Sequence, residues 1–237
     1  MSASFTRFTR WQRLQHLLVM TLFTILCVTG LPQKYFDSAW AIWLIDLLGG
    51  VDAARWMHRA SGLAFTAMTI VHFAVVIGAL AMGKGSLSLV PHRQDFLDAV
   101  TTLRYYLGIS DRQARFDRFD YKQKFEYWGM VIGSVIVIVT GIVLLYPVAV
   151  TQWLPGAIVP VAMIAHSNEG LLAFLTIVTW HIFNAHLSPD VFPYDASIFT
   201  GRISEERMRH EHPLEYERLI ASRATPGSTP GGLQKTA

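Results

Sequence analysis

The sequence predicts an all-α membrane protein built as a bundle of four transmembrane helices. Three observations carry that expectation: composition, four long apolar stretches, and a lopsided distribution of cations. Of 237 residues, 52% are hydrophobic and only 16% are charged, and mean hydropathy is +0.34. That is too apolar for an ordinary soluble domain of this size. Stretches 14–32, 57–82, 127–146 and 157–187 each match the span of about 20 residues that a helix needs to cross a hydrocarbon core. Seventeen of the twenty Lys and Arg residues precede the first stretch, lie in the 83–126 connector, or follow Leu187. Only Lys34, Arg55 and Arg59 fall on the other side. Positive charge marks the cytoplasmic side, so both termini and the long connector are expected there.

The elements follow in order. The first apolar stretch has no small-residue cleavage site and carries a histidine, so it is expected to remain as a helix of the mature protein. Residues 40–45, Trp-Ala-Ile-Trp-Leu-Ile, are too few to span and read as an interfacial or re-entrant helix. In the connector, Phe96, Leu97, Val100, Leu103, Tyr106 and Leu107 recur near helical spacing, which suggests a helix over Asp95–Leu107 lying on the membrane face. Trp153-Leu154-Pro155-Gly156 is a turn with an interfacial aromatic. The fourth stretch is over-long and extends past the bilayer, and the chain leaves the membrane after Pro189. Ser204–Arg223 is charge-rich and reads as a cytoplasmic helix. The Thr/Pro/Gly-rich residues from Ala224 on read as a disordered tail. Residues 1–223 thus form a single membrane domain without an internal repeat.

Charge and cysteine content narrow the function. The net charge of +3 is explained by the sidedness of the loops and calls for no nucleic acid. The single cysteine, Cys27, excludes an intramolecular disulfide, a Cys-ligated zinc site, an iron–sulfur cluster and C-x-x-C-H haem attachment.

Histidines placed within the apolar stretches carry the chemistry. His58 and His72 are fourteen residues apart in the second, His166 and His181 fifteen apart in the fourth, and His16 lies in the first. At about 3.6 residues per turn and 1.5 Å per residue, each pair stays near one face with its members about 21–22 Å apart. With the orientation above, two layers result: His58 and His166 near the outer face, and His16, His72 and His181 near the cytoplasmic face. Facing imidazoles in two layers are what a two-haem, bis-histidine cytochrome b needs. The inner layer holds one histidine more than a single iron takes. His186, five residues past His181, falls about 140° round an α-helix from it and is expected at the interface. His92, His210 and His212 lie in polar segments and are expected in solvent.

Other residues support the layers. Gly62 and Gly170 each follow an outer histidine by four residues, where a missing side chain lets a flat macrocycle lie close to the helix. Gly30, fourteen residues past His16, is a third candidate for the outer haem. The bland reading of such glycines is close helix packing. Arg55 and Arg59 flank the outer layer, and Arg10 and Arg13 the inner one, as partners for propionates or as interfacial anchors. Glu169, three residues past His166, is placed to orient a ligand or carry a proton. The competing reading is a haem-free membrane anchor or small transporter with a histidine proton path, which predicts scattered histidine depths or midplane carboxylates.

The chain resembles the four-helix cytochrome b subunits of the formate dehydrogenase gamma type, related to those of membrane-bound hydrogenase and thiosulfate reductase. The matching stretches are Arg13-Leu-Gln-His16 with Thr29-Gly30, Arg55-Trp-Met-His58, Tyr121–Trp128 with Thr140-Gly141, and His166-Ser-Asn-Glu169-Gly170. Trp180-His181-Ile-Phe-Asn184-Ala-His186, Phe192-Pro193 and His212-Pro-Leu-Glu215-Tyr-Glu217 complete the set. The resemblance implies two b haems, an outer one held by His58 and His166 and an inner one by His16 and His181. It implies exchange with a quinone, menaquinone or ubiquinone, at the cytoplasmic face of a bacterial inner membrane. The site there includes Asp120, Tyr121, Gln123 and Lys124. It further implies an extracytoplasmic redox subunit of iron–sulfur, molybdopterin, hydrogenase or multihaem cytochrome c type. Two departures stand out. The formate dehydrogenase subunits lack a counterpart of His72, which leaves His72 as an alternative inner ligand, and their two fourth-helix histidines are one residue closer together.

Overall fold

The computed structural model describes residues 4–189 and 191–224. Its helices are α1 (Arg10–Lys34), α2 (Ala39–Leu47), α3 (Val51–Ala81), α4 (Arg93–Tyr106), α5 (Tyr121–Leu145), α6 (Pro147–Thr151), α7 (Ile158–Thr176), α8 (Ser197–Thr200), α9 (Glu205–Glu211) and α10 (Pro213–Ala224). Beyond α7 the same helix continues with π-type turns over Ile177–His181 and Phe183–Leu187. Strands β1 (Ser4–Thr6) and β2 (Arg202–Ser204) pair antiparallel, with Phe5 opposite Ile203. This short ladder is the one departure from an all-helical chain among the described residues.

Four helices are long and apolar enough to cross a membrane: Arg10–Lys34, Val51–Ala81, Tyr121–Leu145 and Ile158–Leu187. The last has the lowest hydropathy, 1.5 against 1.9–2.5 for the others, because it carries His166, Ser167, Asn168, Glu169 and His181. The expected interfacial segment at 40–45 is α2, with Trp40 and Trp43 exposed, and the connector helix is α4, with Phe96, Leu103, Tyr106 and Leu107 exposed. The charged C-terminal segment is not one helix. Ser204 caps α9 by accepting from the Arg207 N–H at 3.3 Å, and Pro213, which cannot donate a helical N–H, begins a new helix after His212. The tail expected beyond Arg223 lies, from Thr225 on, outside the described residues.

The chain divides into two compact units. One comprises Leu14–Gly85 and Trp128–Asp195 and holds most of each spanning helix. Many of its buried positions are small or hydroxylic, among them Thr29, Ala54, Ser134 and Ala162, alongside Pro32, Ile45 and Phe65. Large side chains such as Ile70, Ile77 and Ile132 are more than half exposed. That inversion is the pattern of helices that pack through small residues and turn apolar side chains to lipid.

The other unit comprises the chain up to Arg13, Ser86–Tyr127 and the segment from Ala196 on. It has a conventional small core of Phe5, Ile203 and Met208, with Tyr216 and Leu219 packed against it. A buried ion-pair network adjoins that core. Glu215 accepts from Arg7 at 3.0 Å and from Arg118 at 2.7 Å, and Arg7 and Glu215 are almost fully buried. His212, expected in solvent, is instead 4% exposed and shares its Nδ1 with the Asp117 carbonyl at 2.8 Å. Burial, then the Arg7 charge, hold its imidazolium form off and lower its pKa to about 4.

Candidate functional site

Two histidine pairs form inside the membrane-spanning unit. The rings of His58 on α3 and His166 on α7 face each other with centroids 6.1 Å apart and planes at 80°. Those of His16 on α1 and His181, beyond α7, also stand 6.1 Å apart, with planes at 37°. The His72 ring stands against Phe73, centroids 5.8 Å apart.

That separation has a chemical meaning. Two imidazole nitrogens bound to one metal from opposite sides are about 4 Å apart, at about 2 Å per bond, and each ring centre lies about 1 Å further back. The expected centroid distance is therefore about 6 Å, as both pairs show. Among the described residues no group of three or more His, Cys, Asp or Glu could hold a metal ion. Two imidazoles alone suit a metal whose other four ligands come with its cofactor, as in haem.

The pair expected near the outer face, His58 and His166, is held by two matching clasps. The Thr29 hydroxyl donates to the Ile25 carbonyl at 2.6 Å and lies 3.0 Å from His58 Nδ1. Thr140 repeats this on α5, donating to Ile136 at 2.6 Å with His166 Nδ1 at 3.1 Å. A hydroxyl has one proton, and the backbone carbonyl takes it, so the threonine oxygen accepts from Nδ1–H. Each histidine is thereby set as the Nδ1–H tautomer, with its Nε2 lone pair left to a ligand.

The residue after each threonine completes the clasp. A Cβ on Gly30 would stand 2.9 Å from His58 Cε1, and one on Gly141 would stand 3.2 Å from His166 Cε1. Gly30 thus makes room for a histidine ring, whereas the sequence suggested room for a macrocycle. Gly170 has open space where its Cβ would be, and Gly62 meets only Leu26 at 4.0 Å.

Polar groups at the outer end tie α1 to α7. Lys34 Nζ donates to Ser167 Oγ at 3.2 Å and to Asn168 Oδ1 at 2.8 Å. Glu169 reaches α5, where its Oε1 would be 2.7 Å from a Cβ on Gly133. Arg55 and Arg59 are exposed beside His58, and the Arg59 charge reaches it.

The inner pair is framed differently. The segment carrying His181 and His186 leaves α geometry: i→i+5 bonding, seen as Ser188 N–H donating to the Phe183 carbonyl at 2.8 Å, makes residues five apart neighbours, so His186 falls nearer the His181 face than α-helical spacing implied. Those turns also absorb the fifteen-residue spacing of His166 and His181, which overshoots four α-turns by about 60°. The Nδ1 atom of His186 is buried without a hydrogen-bond partner among the described residues.

The residues expected at a cytoplasmic quinone site lie in the other unit. Asp120 and Gln123 form a reciprocal cap at the start of α5, with Gln123 N–H donating to Asp120 Oδ1 at 2.8 Å and Asp120 N–H to Gln123 Oε1 at 3.2 Å. Burial raises the Asp120 pKa, against the pull of the Gln123 N–H. Tyr121 stacks obliquely on Phe116, centroids 6.1 Å apart. Lys124 is buried and pairs with Asp95 at 2.7 Å, with His92 Nε2 at 3.2 Å. Arg13, expected beside a propionate, donates to the Phe199 carbonyl.

Comparison with known proteins agrees with this geometry. Residues 7–191 match the family model described as prokaryotic cytochrome b561. The chain is also similar to the cytochrome b556 subunit of formate dehydrogenase from Haemophilus influenzae, 22% identical over 211 residues, covering 89% of this chain and 82% of the relative. With the family model matching most of its length, the chain belongs to the prokaryotic cytochrome b561 family and is a multi-pass membrane cytochrome b that binds haem b and serves electron transfer.

Proposed function

We propose that this protein is a dihaem cytochrome b subunit that passes electrons between an extracytoplasmic redox partner and the quinone pool. His58 and His166 hold the outer haem b, and His16 and His181 hold the inner one. The observation that carries this reading is the repeated 6.1 Å separation of facing imidazoles, one pair near each end of the bundle. A bound haem supplies a one-electron carrier whose potential is set by its ligands and their hydrogen bonds. Thr29 and Thr140 keep Nδ1 protonated, so both outer ligands present Nε2. Gly62 and Gly170 leave space beside the helices.

Quinone exchange is assigned to the cytoplasmic side, where Asp120, Tyr121, Gln123 and Lys124 start α5. Converting quinone to quinol takes two electrons and two protons, so the site needs a group that holds a proton. Asp120 is suited to that by its raised pKa. The Gln123 carboxamide uses its oxygen on the Asp120 N–H and keeps its NH₂ for a quinone carbonyl. The similarity to a formate dehydrogenase cytochrome subunit supports assembly with a redox enzyme, and the cation-rich ends and connector support cytoplasmic termini. A reduced-minus-oxidised spectrum with pyridine haemochrome quantitation tests the reading. Two haems b per chain, reducible by a quinol, are expected; a haem-free or single-haem protein contradicts it.

A further inference from the structure

The network around Glu215 has more structure than anchoring a tail requires. Four successive residues before α5 are each gripped by the segment His212–Arg218. Arg115 pairs with Glu217. The Phe116 carbonyl accepts from Leu214 N–H at 3.2 Å. Asp117 is held at both ends, its carbonyl by His212 at 2.8 Å and its carboxylate by both Arg218 amino groups at 2.8 and 2.6 Å. Arg118 reaches Glu215 at 2.7 Å, and its other amino group donates to the Arg7 carbonyl at 2.8 Å. Arg7 returns the contact by donating to the Arg118 carbonyl. Two residues further on, Asp120 caps α5.

Energy alone does not account for this arrangement. A buried ion pair is often no more stabilising than apolar side chains of the same volume, and geometric definition is the best-attested gain from keeping one. Here the geometry defined is that of a backbone segment leading straight into Asp120 and Gln123. The Asp117–Arg218 pair is bidentate, the form of ion pair that fixes orientation as well as distance.

We propose that His212–Arg218 is a positioning clamp for the quinone site, setting the place of Asp120 and Gln123 through its grip on residues 115–118. Glu215 and Arg218 are its positioning residues, and neither touches substrate. The proposal rests on the reading of Asp120–Lys124 as the quinone site.

The test uses the whole holoprotein in membranes, with duroquinol as electron donor and the rate of haem reduction as readout. Arg218→Ala and Glu215→Gln should keep the haem content and dithionite-reduced spectrum of the parent. The duroquinol concentration for half-maximal rate should rise about threefold in Arg218→Ala and about tenfold in Glu215→Gln, since small misplacements of positioned groups are costly. Arg218→Lys should recover part of the loss. Unchanged half-saturation in both variants, with only thermal stability lowered, overturns the clamp, as does haem loss in Arg218→Ala. Asp120→Asn separates the two levels. If it impairs duroquinol oxidation while both clamp variants are normal, the clamp alone is wrong; if it is itself normal, the quinone-site reading fails and the clamp with it.

Discussion

The two histidine pairs have the same centroid separation and different surroundings. At the outer pair, each imidazole has a threonine on Nδ1 and a glycine against Cε1, supplied by the neighbouring helix in the same Thr-Gly order. At the inner pair, the fourth helix leaves α geometry at His181, and no described glycine has either ring among its nearest neighbours. His58 and His166 are therefore oriented by matching contacts from neighbouring helices, while His181 sits on a π-type segment opposite His16 on α1.

The inner pair gives the largest expected effects. His16→Ala and His181→Ala should each lose one haem, the same one. His72→Ala and His186→Ala should keep two, His186→Ala with altered quinol-dependent reduction, because its buried Nδ1 has no hydrogen-bond partner among the described residues. Haem quantitation on the four purified variants decides this. One haem in His72→Ala beside two in His16→Ala would exchange their roles.

Removing the outer clasp comes next. Thr29→Val and Thr140→Val keep shape but remove the hydroxyl partner of each ring, leaving the backbone bonds at Leu26 and Val137, so metal binding should weaken toward the low end of the about 10–100-fold that loss of such a partner costs. Haem-transfer rates to apomyoglobin should rise for one haem only. Loss of the inner haem instead would break the comparison. A smaller change is expected from Gly30→Ala and Gly141→Ala. Overpacking costs about 1–3 kcal/mol, and Gly30→Ala should be the worse, since its Cβ would come to 2.9 Å against 3.2 Å. The midpoint potential of the outer haem should shift more in Gly30→Ala; equal shifts would deny the difference in contact.

The smallest effect on haem is expected at His212, which belongs to the other unit. Its folded pKa of about 4 lies below the ordinary 6.5, so its full contribution is present above pH 6.5. As pH falls from 6.5 toward 4, the unfolded chain takes up the proton first, and stability drops by about 1.4 kcal/mol per pH unit, about 3 kcal/mol in all. Unfolding of the parent and of His212→Gln, followed from pH 7 to 4.5, should show the parent alone losing this increment. Parallel pH profiles would contradict it.

Much of this was legible in the sequence. Hydropathy marked the four spans, and helix rise alone sorted His58 and His166 from His16, His72 and His181, because α-helical advance is nearly invariant. His186 was misplaced because the same 3.6-residue period was applied where the chain has π-type turns, and no residue pattern signals those. Thr29 and Thr140 stood out only by resemblance, since a contact between neighbouring helices leaves no spacing within either one. Arg7, Glu215 and His212 sit among solvated charges in sequence, and their burial arises from long-range packing of β1, α9 and α10.

The central claim is that facing histidines from different helices share one haem at each layer. Haem stoichiometry of His58→Ala, His166→Ala and the double variant tests it most directly. The account predicts one haem per chain in all three, with the same inner-haem spectrum remaining. A double variant with less haem than either single, or singles that retain different spectra, would show that His58 and His166 do not hold the same iron.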